Sequence, residues 1–267
     1  MMSLIRNNHG FTLVEVLVAL VIDFVVLAGI YAAFYSQQKS HVKEQQVVDA
    51  QQNVRGAAAF MIREIRLAGL DGTGTAGAGI MAAGPHSFQF SLDRNNQNGI
   101  ADDYEIIRYG FSATVDADLD GKADTGEGGA GPITRFSTNN GEIADDIRAI
   151  AFAYAYDENR DGELEYEDTA PMNGRLDPGE EIWAYDDPGS ASVGLDTNNA
   201  DHTALAQVVS LDRIRAVRIW ILARTSISLR GKAVTKNYVV GDKPVNETDN
   251  FQYRLLTATV KVRNLGL

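Results

Sequence analysis

The chain has 267 residues, 45% of them hydrophobic, which is enough to bury the core of one large domain. It contains no cysteine, so disulfide bonds and thiol chemistry are excluded. Its formal net charge of −12 is concentrated, because residues 93–204 carry a net −19 whereas residues 205–267 carry +7. The acidic middle would repel phosphates, which argues against nucleic acid as a partner, and it suits a cation-binding surface.

The N-terminus consists of a short polar segment followed by a long apolar run. Residues 1–10, MMSLIRNNHG, have Arg6 as their only full charge. The run from Phe11 to Phe34 is long enough to span a bilayer. A secretory signal peptide would have a shorter apolar region followed by a small-residue cleavage site. Here the run continues into a polar helical segment, so we place the cleavage point before the run.

Two acidic residues, Glu15 and Asp23, interrupt this apolar run. A carboxylate in a membrane helix costs roughly 2.5–3.5 kcal/mol on insertion scales, so such residues are usually functional and paired. The alternative for Glu15 is a position at the interface, with its carboxylate reaching water. Asp23 fits either a second polar contact to a neighbour or a tolerated protonated acid, and the sequence leaves both open.

The segment Gly10-Phe11-Thr12-Leu13-Val14-Glu15 resembles the prepilin cleavage and methylation motif of type IV pilins and type II secretion pseudopilins. The resemblance implies that a prepilin peptidase cuts after Gly10 and that Phe11 becomes the methylated N-terminus. It also implies that Glu15 pairs with the terminal amine of a neighbouring subunit, which would compensate a buried carboxylate. Positive charge in residues 1–10 places the N-terminus in the cytoplasm. We therefore expect a single-pass inner-membrane protein that later reaches a pilus at the cell surface.

The helical pattern continues beyond the apolar run. No proline precedes Pro85, and one apolar stripe recurs at helical spacing, formed by Val47, Val54, Ala58, Met61, Ile65 and Ala68. Polar residues, Glu64 among them, fill the other faces, and Gly69 is a typical stop signal. The pattern predicts a helix from about Phe11 to Ala68, with the stripe packed against a core.

After a Gly/Ala/Thr-rich linker at 71–84, short strand-like runs alternate with acidic loops. The predicted strands are Ser87–Leu92, Glu105–Phe111, Ile147–Tyr156, Ile214–Ala223, Ala233–Val240 and Leu255–Val262. We therefore predict an α+β fold, in which one long N-terminal helix packs on an antiparallel β-sheet with acidic loop insertions. The expected organisation is a leader peptide (1–10), a transmembrane or filament-core helix (11–35), its amphipathic continuation (36–69) and a periplasmic or extracellular domain (70–267).

Both ends of the chain resemble the PilW family of minor pilins. The similar segments are Ser36-Gln37-Gln38, Gln51 to Arg55, Arg63 to Gly69 and the ending from Tyr253 to Leu265. The resemblance implies a low-abundance subunit that helps to initiate or cap a type IV pilus. The implied partners are other major and minor pilins, the prepilin peptidase and the inner-membrane assembly platform.

Two stretches of the acidic middle fit the calcium-loop pattern D-x-D-x-D-G-x5-E, the second with Asp at its last position. Ca²⁺ takes six to eight oxygen ligands, and the glycine at position 6 permits a sharp turn. Positions 1, 3, 5, 7, 9 and 12 supply the ligands, position 7 through its backbone carbonyl. In the first loop these are Asp116, Asp118, Asp120, Lys122, Asp124 and Glu127. In the second loop they are Asp157, Asn159, Asp161, Glu163, Glu165 and Asp168.

Acidic turns also form without any ion, which is the alternative for both loops. Two weaker candidates accompany them. The run Asp93-x-Asn95-x-Gln97-Asn98-Gly99, with Asp102 and Asp103, has its glycine one place late, and Asn173, Asp177 and Glu180 would extend the second loop. We expect bound Ca²⁺ to make the loops rigid, since carboxylates held together repel until an ion binds.

Catalytic motifs are not evident in the sequence. The four histidines lack H-x-x-H or H-E-x-x-H spacing, no G-x-S-x-G occurs, and the Gly-rich stretch from Gly72 to Gly79 lacks the phosphate-loop pattern. We therefore expect a protein that is not an enzyme. Two alternatives to the minor-pilin interpretation remain: a type II secretion pseudopilin of the J type, and a Ca²⁺-dependent adhesin at a filament tip.

Overall fold

The computed structural model describes residues 11–95, 103–124, 129–166, 183–185, 192–196, 204–228, 233–241 and 243–265. The chain divides into two compact units after Gln45. The predicted boundaries at residues 10, 35 and 69 stay a prediction.

The first unit consists of the N-terminal part of helix α1, which as a whole spans Leu13–Ile65. Its large apolar side chains lie exposed, from Phe11 at 88% to Phe34 at 63% of full accessibility. Among the described residues α1 is the one helix long and apolar enough to cross a membrane, with a mean hydropathy of 2.7 in its most apolar window. Burying this surface would release a large hydrophobic free energy, so it needs a bilayer or other helices around it.

The second unit contains the rest of α1, and here the predicted apolar stripe forms core. Val54, Ala58, Met61 and Ile65 are at most 3% exposed, and Ala68, just past the helix end, is fully buried. The last α-helical residue is Ile65, after which tighter turns lead to Gly69, whose φ of +73° suits glycine. The predicted stop signal is confirmed, and the helix is shorter than predicted at each end.

Glu64 corrects one expectation, because it lies in the core instead of on a polar face. Arg135 donates two hydrogen bonds to its carboxylate, from Nε at 2.7 Å and from Nη2 at 3.2 Å, and the Tyr109 hydroxyl donates a further one. Burial and the neighbouring Glu64 raise the pKa of Tyr109 far above its usual range, so the hydroxyl remains a donor. A polar residue on a helix can thus be internal when a partner strand supplies its counter-charge.

Ten of the described strands form one antiparallel sheet, and two more form a hairpin. The first strands are β1 (Ile80–Ala83), β2 (Phe88–Ser91), β3 (Ile106–Gly110), β4 (Gly131–Phe136), β5 (Gly141–Tyr156) and β6 (Trp183–Tyr185). The later ones are β7 (Ser192–Asp196), β8 (Ala204–Ser210), β9 (Ile214–Arg224), β10 (Val234–Val240), β11 (Lys243–Asp249) and β12 (Tyr253–Lys261). Strands β1 to β8 are neighbours in chain order, β9 pairs with β5 and β12, and β10 pairs with β11.

Strand β5 separates two layers of core because its side chains alternate between faces. Ile150, Phe152 and Tyr154 belong to the same buried cluster as Met61 of α1. Ala149 and Ala151, on the other face, pack in a second cluster with residues of the β10–β11 hairpin. The predicted α+β fold, with one long helix packed on an antiparallel sheet, is confirmed.

All six predicted strands are present, with shifted ends. The predicted linker at 71–84 is wrong in its last part, because Ile80–Ala83 is a strand that pairs with β2. The remaining unpredicted strands are β4, β6, β7, β8 and β11. Strand β11 reads KPVNETD and is mostly polar because it lies at the surface, which explains why an apolar alternation does not reveal it.

Candidate functional site

Glu15 is held by its own helix start. The backbone N–H and the hydroxyl of Thr12 both donate to Oε2 of Glu15 at 2.8 Å, and the Glu15 N–H donates to the Thr12 hydroxyl at 3.3 Å. This is a capping box, and the T-x-x-E spacing that encodes it was visible in the sequence but was not used there. Both residues are exposed, so the carboxylate is positioned locally and remains accessible.

The other residues of the predicted processing region are placed only in part. Phe11 is the first described residue, and Gly10 lies outside the described residues. Asp23 is exposed on the same helix. The roles assigned to Gly10, Phe11 and Glu15 stay predictions at this point.

The first acidic loop lies between β3 and β4 and brings three of its predicted ligands together. Asp116, Asp118 and Asp120 each offer a carboxylate oxygen, and these oxygens all lie within 4.8 Å of one another. Asp116 is 3% exposed, and its two oxygens accept the N–H groups of Asp120 at 3.1 Å and Gly121 at 2.9 Å. The loop therefore converges on one point, as a calcium loop requires.

The second acidic loop follows β5 and is built in the same way. Asp157 is 1% exposed, and its Oδ2 accepts the N–H of Gly162 at 3.1 Å. Its other oxygen, Oδ1, is buried and accepts no hydrogen bond. A buried carboxylate oxygen without a partner is costly, so this atom is a candidate for a direct bond to a cation.

Each of the two loops contains the same network of hydrogen bonds between corresponding positions. In each, the N–H of position 5 donates to the side chain of position 3 and the N–H of position 7 donates to that of position 5. The pairs are Asp120 to Asp118 (3.3 Å) and Lys122 to Asp120 (2.8 Å) in the first loop, and Asp161 to Asn159 (2.9 Å) and Glu163 to Asp161 (2.8 Å) in the second. Two segments with the same pattern in sequence thus adopt the same local structure.

Position 9 closes each loop through its carboxylate. Asp124 Oδ2 accepts the N–H of Ala117 at 3.0 Å, and Glu165 Oε1 accepts the N–H of Glu158 at 3.2 Å. These bonds tie position 9 of each loop to the backbone of position 2. Glu127 and Asp168, the predicted final ligands, lie outside the described residues, as do Gln97, Asn98, Gly99, Asp102, Asn173, Asp177 and Glu180.

Backbone conformation at positions 4 and 6 matches in the two loops as well. Leu119 and Arg160 have a φ of +61°, and Gly121 and Gly162 have φ values of +80° and +90°. A Cβ on Gly121 would lie 2.2 Å from Nδ1 of His86, so glycine is also required there by space. Gly162 has no such neighbour, and its glycine is required by conformation alone.

The residue at position 8 anchors each loop to the domain, which sequence reasoning missed. Ala123 is fully buried in the core cluster next to α1, and Leu164 is 6% exposed in a cluster with Trp183. An apolar residue within a run of acids was the available signal. These anchors fix the loops on a rigid sheet, which lowers the cost of ordering them around an ion.

The local charges suit a cation. Burial raises the pKa of Asp116, and the nearby carboxylate of Asp120 raises it further. Burial also acts to raise the pKa of Asp120, but hydrogen bonds from Lys122 outweigh it and lower the value. A positive ion at the first loop would relieve the repulsion between these carboxylates.

Two models of known protein families match this chain. The prokaryotic N-terminal methylation motif matches residues 5–31, and the type IV pilus-assembly protein W family matches residues 128–264. The first match contains Gly10, Phe11 and Glu15, and the second contains the second acidic loop. Among solved structures, the type IV-like pilin TTHA1219 from Thermus thermophilus aligns with 81% of this chain and 98% of its own, at 12% identity and a TM-score of 0.39. A search of curated proteins found no match.

Proposed function

The chain belongs to the type IV pilus-assembly protein W family, and from this premise we propose that it is a minor pilin that helps to initiate or cap a type IV pilus. Proteins of this family are structural. The methylation motif and, among the described residues, one apolar helix long enough to cross a bilayer support anchoring of the chain in a membrane. The observation that carries the proposal is the methylation motif at the head of α1, with Glu15 exposed at the helix start.

In this proposal, cleavage after Gly10 creates a positively charged amine at Phe11. Glu15 then pairs with the amine of a neighbouring subunit as the apolar part of α1 enters the filament core. The capping box with Thr12 supports this step, because it orients the carboxylate at the helix start before any neighbour arrives. Pairing compensates a charge that would otherwise be buried among apolar helices.

Deletion of the gene in its native host tests the proposal. We expect few or no pili and lost twitching, with protein secretion unchanged and with recovery when the intact gene is restored. Normal piliation with defective type II secretion would contradict the proposal and favour a pseudopilin. Normal pili that no longer attach to surfaces would contradict it in favour of an adhesin.

We also propose that the two acidic loops bind Ca²⁺ and that the ion stabilises the domain. Two observations support calcium: the three converging carboxylates of the first loop and the buried, unpartnered Oδ1 of Asp157 in the second. The ligands are the predicted sets, with Lys122 and Glu163 contributing backbone carbonyls. Because the chain has no disulfide, ion binding is a means of holding these loops that needs no covalent bond.

Removal of calcium from the full-length protein in detergent tests this second proposal. A ligand at 100 times its dissociation constant stabilises a fold by about 2.7 kcal/mol. We therefore expect EGTA to lower the Tm by roughly 5–10 °C for a domain of this size. Asp116→Asn and Asp157→Asn should each reduce the effect, whereas Asp49→Asn, on the exposed surface of α1, should not. A Tm that EGTA leaves unchanged would refute calcium binding.

A further inference from the structure

Two more carboxylates lie buried at the ends of the segment that connects β2 with β3. Asp93 is 2% exposed and Glu105 is fully buried. We propose that Asp93 and Glu105 form a third cation site, which takes Ca²⁺ and is separate from the two loops described above. The calcium-loop pattern does not identify it, since Glu105 lies outside the set that the pattern selects.

The carboxylate of Glu105 is directed at the start of this segment. Its Oε1 accepts the N–H of Arg94 at 2.9 Å, and its backbone carbonyl accepts the N–H of Leu92 at 3.0 Å. These bonds place the Glu105 carboxylate beside the backbone of Arg94 and the Glu105 carbonyl beside the backbone of Leu92, the two chain neighbours of Asp93. The N–H of Asp93 is itself fixed by a 2.7 Å bond to the carbonyl of Leu70.

The second oxygen of Glu105 is the observation that indicates a ligand. Oε2 is buried and accepts no hydrogen bond. Within the part of the chain that the structure describes, no Lys, Arg or His forms an ion pair with Glu105. A buried carboxylate without a counter-charge is strongly unfavourable, and Asp93, the residue before the Arg94 that bonds Glu105, is buried as well. A divalent cation supplies the missing charge and the missing partner for Oε2 at once.

The arrangement repeats a feature of the two predicted loops. In each of them the first Asp is buried, and the N–H of the next residue donates to a carboxylate further along the chain. Here Asp93 takes the place of Asp116 and Asp157, the Arg94 N–H donates, and Glu105 takes the place of Asp124 and Glu165. The segment has its glycine one residue late and a longer path to the second carboxylate. Fixed spacing from Asp93 places position 9 at Ala101 and position 12 at Tyr104, so it does not reach Glu105.

Calcium binding by the full-length protein in detergent, measured by isothermal titration calorimetry, tests the third site. The background is the double variant Asp116→Asn/Asp157→Asn, in which the two predicted loops are impaired. We expect this background to bind one Ca²⁺ per chain and the added substitution Glu105→Gln to abolish that binding. Glu142→Gln, an exposed Glu on β5, is the matched control and should keep it.

A second readout separates a ligand from a structural residue. The amide oxygen that Glu105→Gln introduces can still accept the Arg94 N–H, but the side chain carries no charge. Glu105→Gln in the background should therefore raise the Tm measured without calcium. It should also abolish the increase in Tm that calcium causes in the background. The proposal would be overturned if the triple variant, which is the background with Glu105→Gln added, still binds one Ca²⁺. It would also be overturned if the Tm of this triple variant without calcium is lower than that of the background. A background that binds none would also overturn it.

If the double variant does not fold, Glu105→Gln in the otherwise wild-type chain gives the same information. The expected result is one Ca²⁺ fewer per chain than in the wild type, with Glu142→Gln unchanged. Equal stoichiometry in Glu105→Gln and the wild type would overturn the proposal.

Discussion

The two ends of α1 each present a glutamate, and the two glutamates have opposite surroundings. Glu15 is exposed, and the Thr12 that bonds it lies three residues away on the same helix end. Glu64 is 6% exposed and is bonded by Arg135 and Tyr109, from strands distant in the chain. The first carboxylate remains available to a partner, whereas the hydrogen-bonding capacity of the second is used within the domain. Under the proposed function, the start of this helix would serve assembly, whereas its end stabilises the fold.

The largest effect should come from Glu15→Leu, which removes the exposed carboxylate at the helix start. Without the carboxylate, the terminal amine of a neighbouring subunit would be buried without a counter-charge, so we expect at least a tenfold loss of piliation. The Tm of the domain should not change. Electron microscopy and immunoblots for the processed protein measure the effect, and Glu44→Gln on the exposed surface of α1 is the control. Normal piliation in Glu15→Leu would contradict a role for the Glu15 carboxylate in assembly.

Glu64→Leu should have the opposite effect, on stability. The side chains of Arg135 and Glu64 are only 17% and 8% exposed, so removal of one partner leaves a buried charge and should cost about 3–5 kcal/mol. Urea denaturation of the full-length protein measures the loss. The double variant Glu64→Leu/Arg135→Leu should recover part of it, because the unpaired charge is then absent. A loss below about 1 kcal/mol in Glu64→Leu, the usual size for an exposed site, would contradict the burial.

Apolar residues of the two ends should also differ. Met61 is fully buried in the core, and Met61→Ala should cost roughly 2–5 kcal/mol through lost contacts and a cavity. Val25 is 69% exposed, and Val25→Ala should leave the Tm of the domain unchanged within error. Equal losses for the two variants, measured by the same urea denaturation, would show that the ends of the helix are not distinct.

The smallest effect is expected from Thr12→Val, which removes the capping hydroxyl but keeps the shape. Loss of an N-cap typically costs about 1 kcal/mol of helix stability. Piliation should decrease by less than in Glu15→Leu, because the carboxylate remains and only its local positioning is lost. Hydrogen exchange of the first helical turn in bicelles measures the fraying. A Thr12→Val defect as large as that of Glu15→Leu would assign the assembly function to Thr12.

Most of the fold could be predicted because periodicity reports burial directly. The stripe of Val54, Ala58, Met61 and Ile65 repeats at helical spacing and faces the core, and the alternation in β9 reports a sheet. Periodicity does not report which polar residues are internal. Glu64 was placed on the surface because its partner Arg135 is 71 residues away, and no local signal connects them.

The acidic loops were found because their predicted ligands are close in sequence, and the hydrogen-bond network of the residues described matches in both. Glu105 was missed because it follows Asp93 by 12 residues, whereas the corresponding carboxylate of each predicted loop follows the first Asp by 8. Strand β1 was missed because glycines and alanines precede it and its pairing with β2 is a tertiary event. Sequence patterns therefore indicated the features whose residues are close together in the chain. The structure was needed to find the features formed by residues far apart in the chain.

The N-terminus of the protein purified from its native host tests the central claim most directly. Intact-mass spectrometry with N-terminal sequencing should find a chain that starts at a methylated Phe11, ten residues shorter than the translated sequence. Recovery of membrane-extracted protein that begins at Met1 or Met2 would contradict the account, because the nitrogen of Phe11 would then be a neutral amide and could not pair with Glu15 as a charged amine.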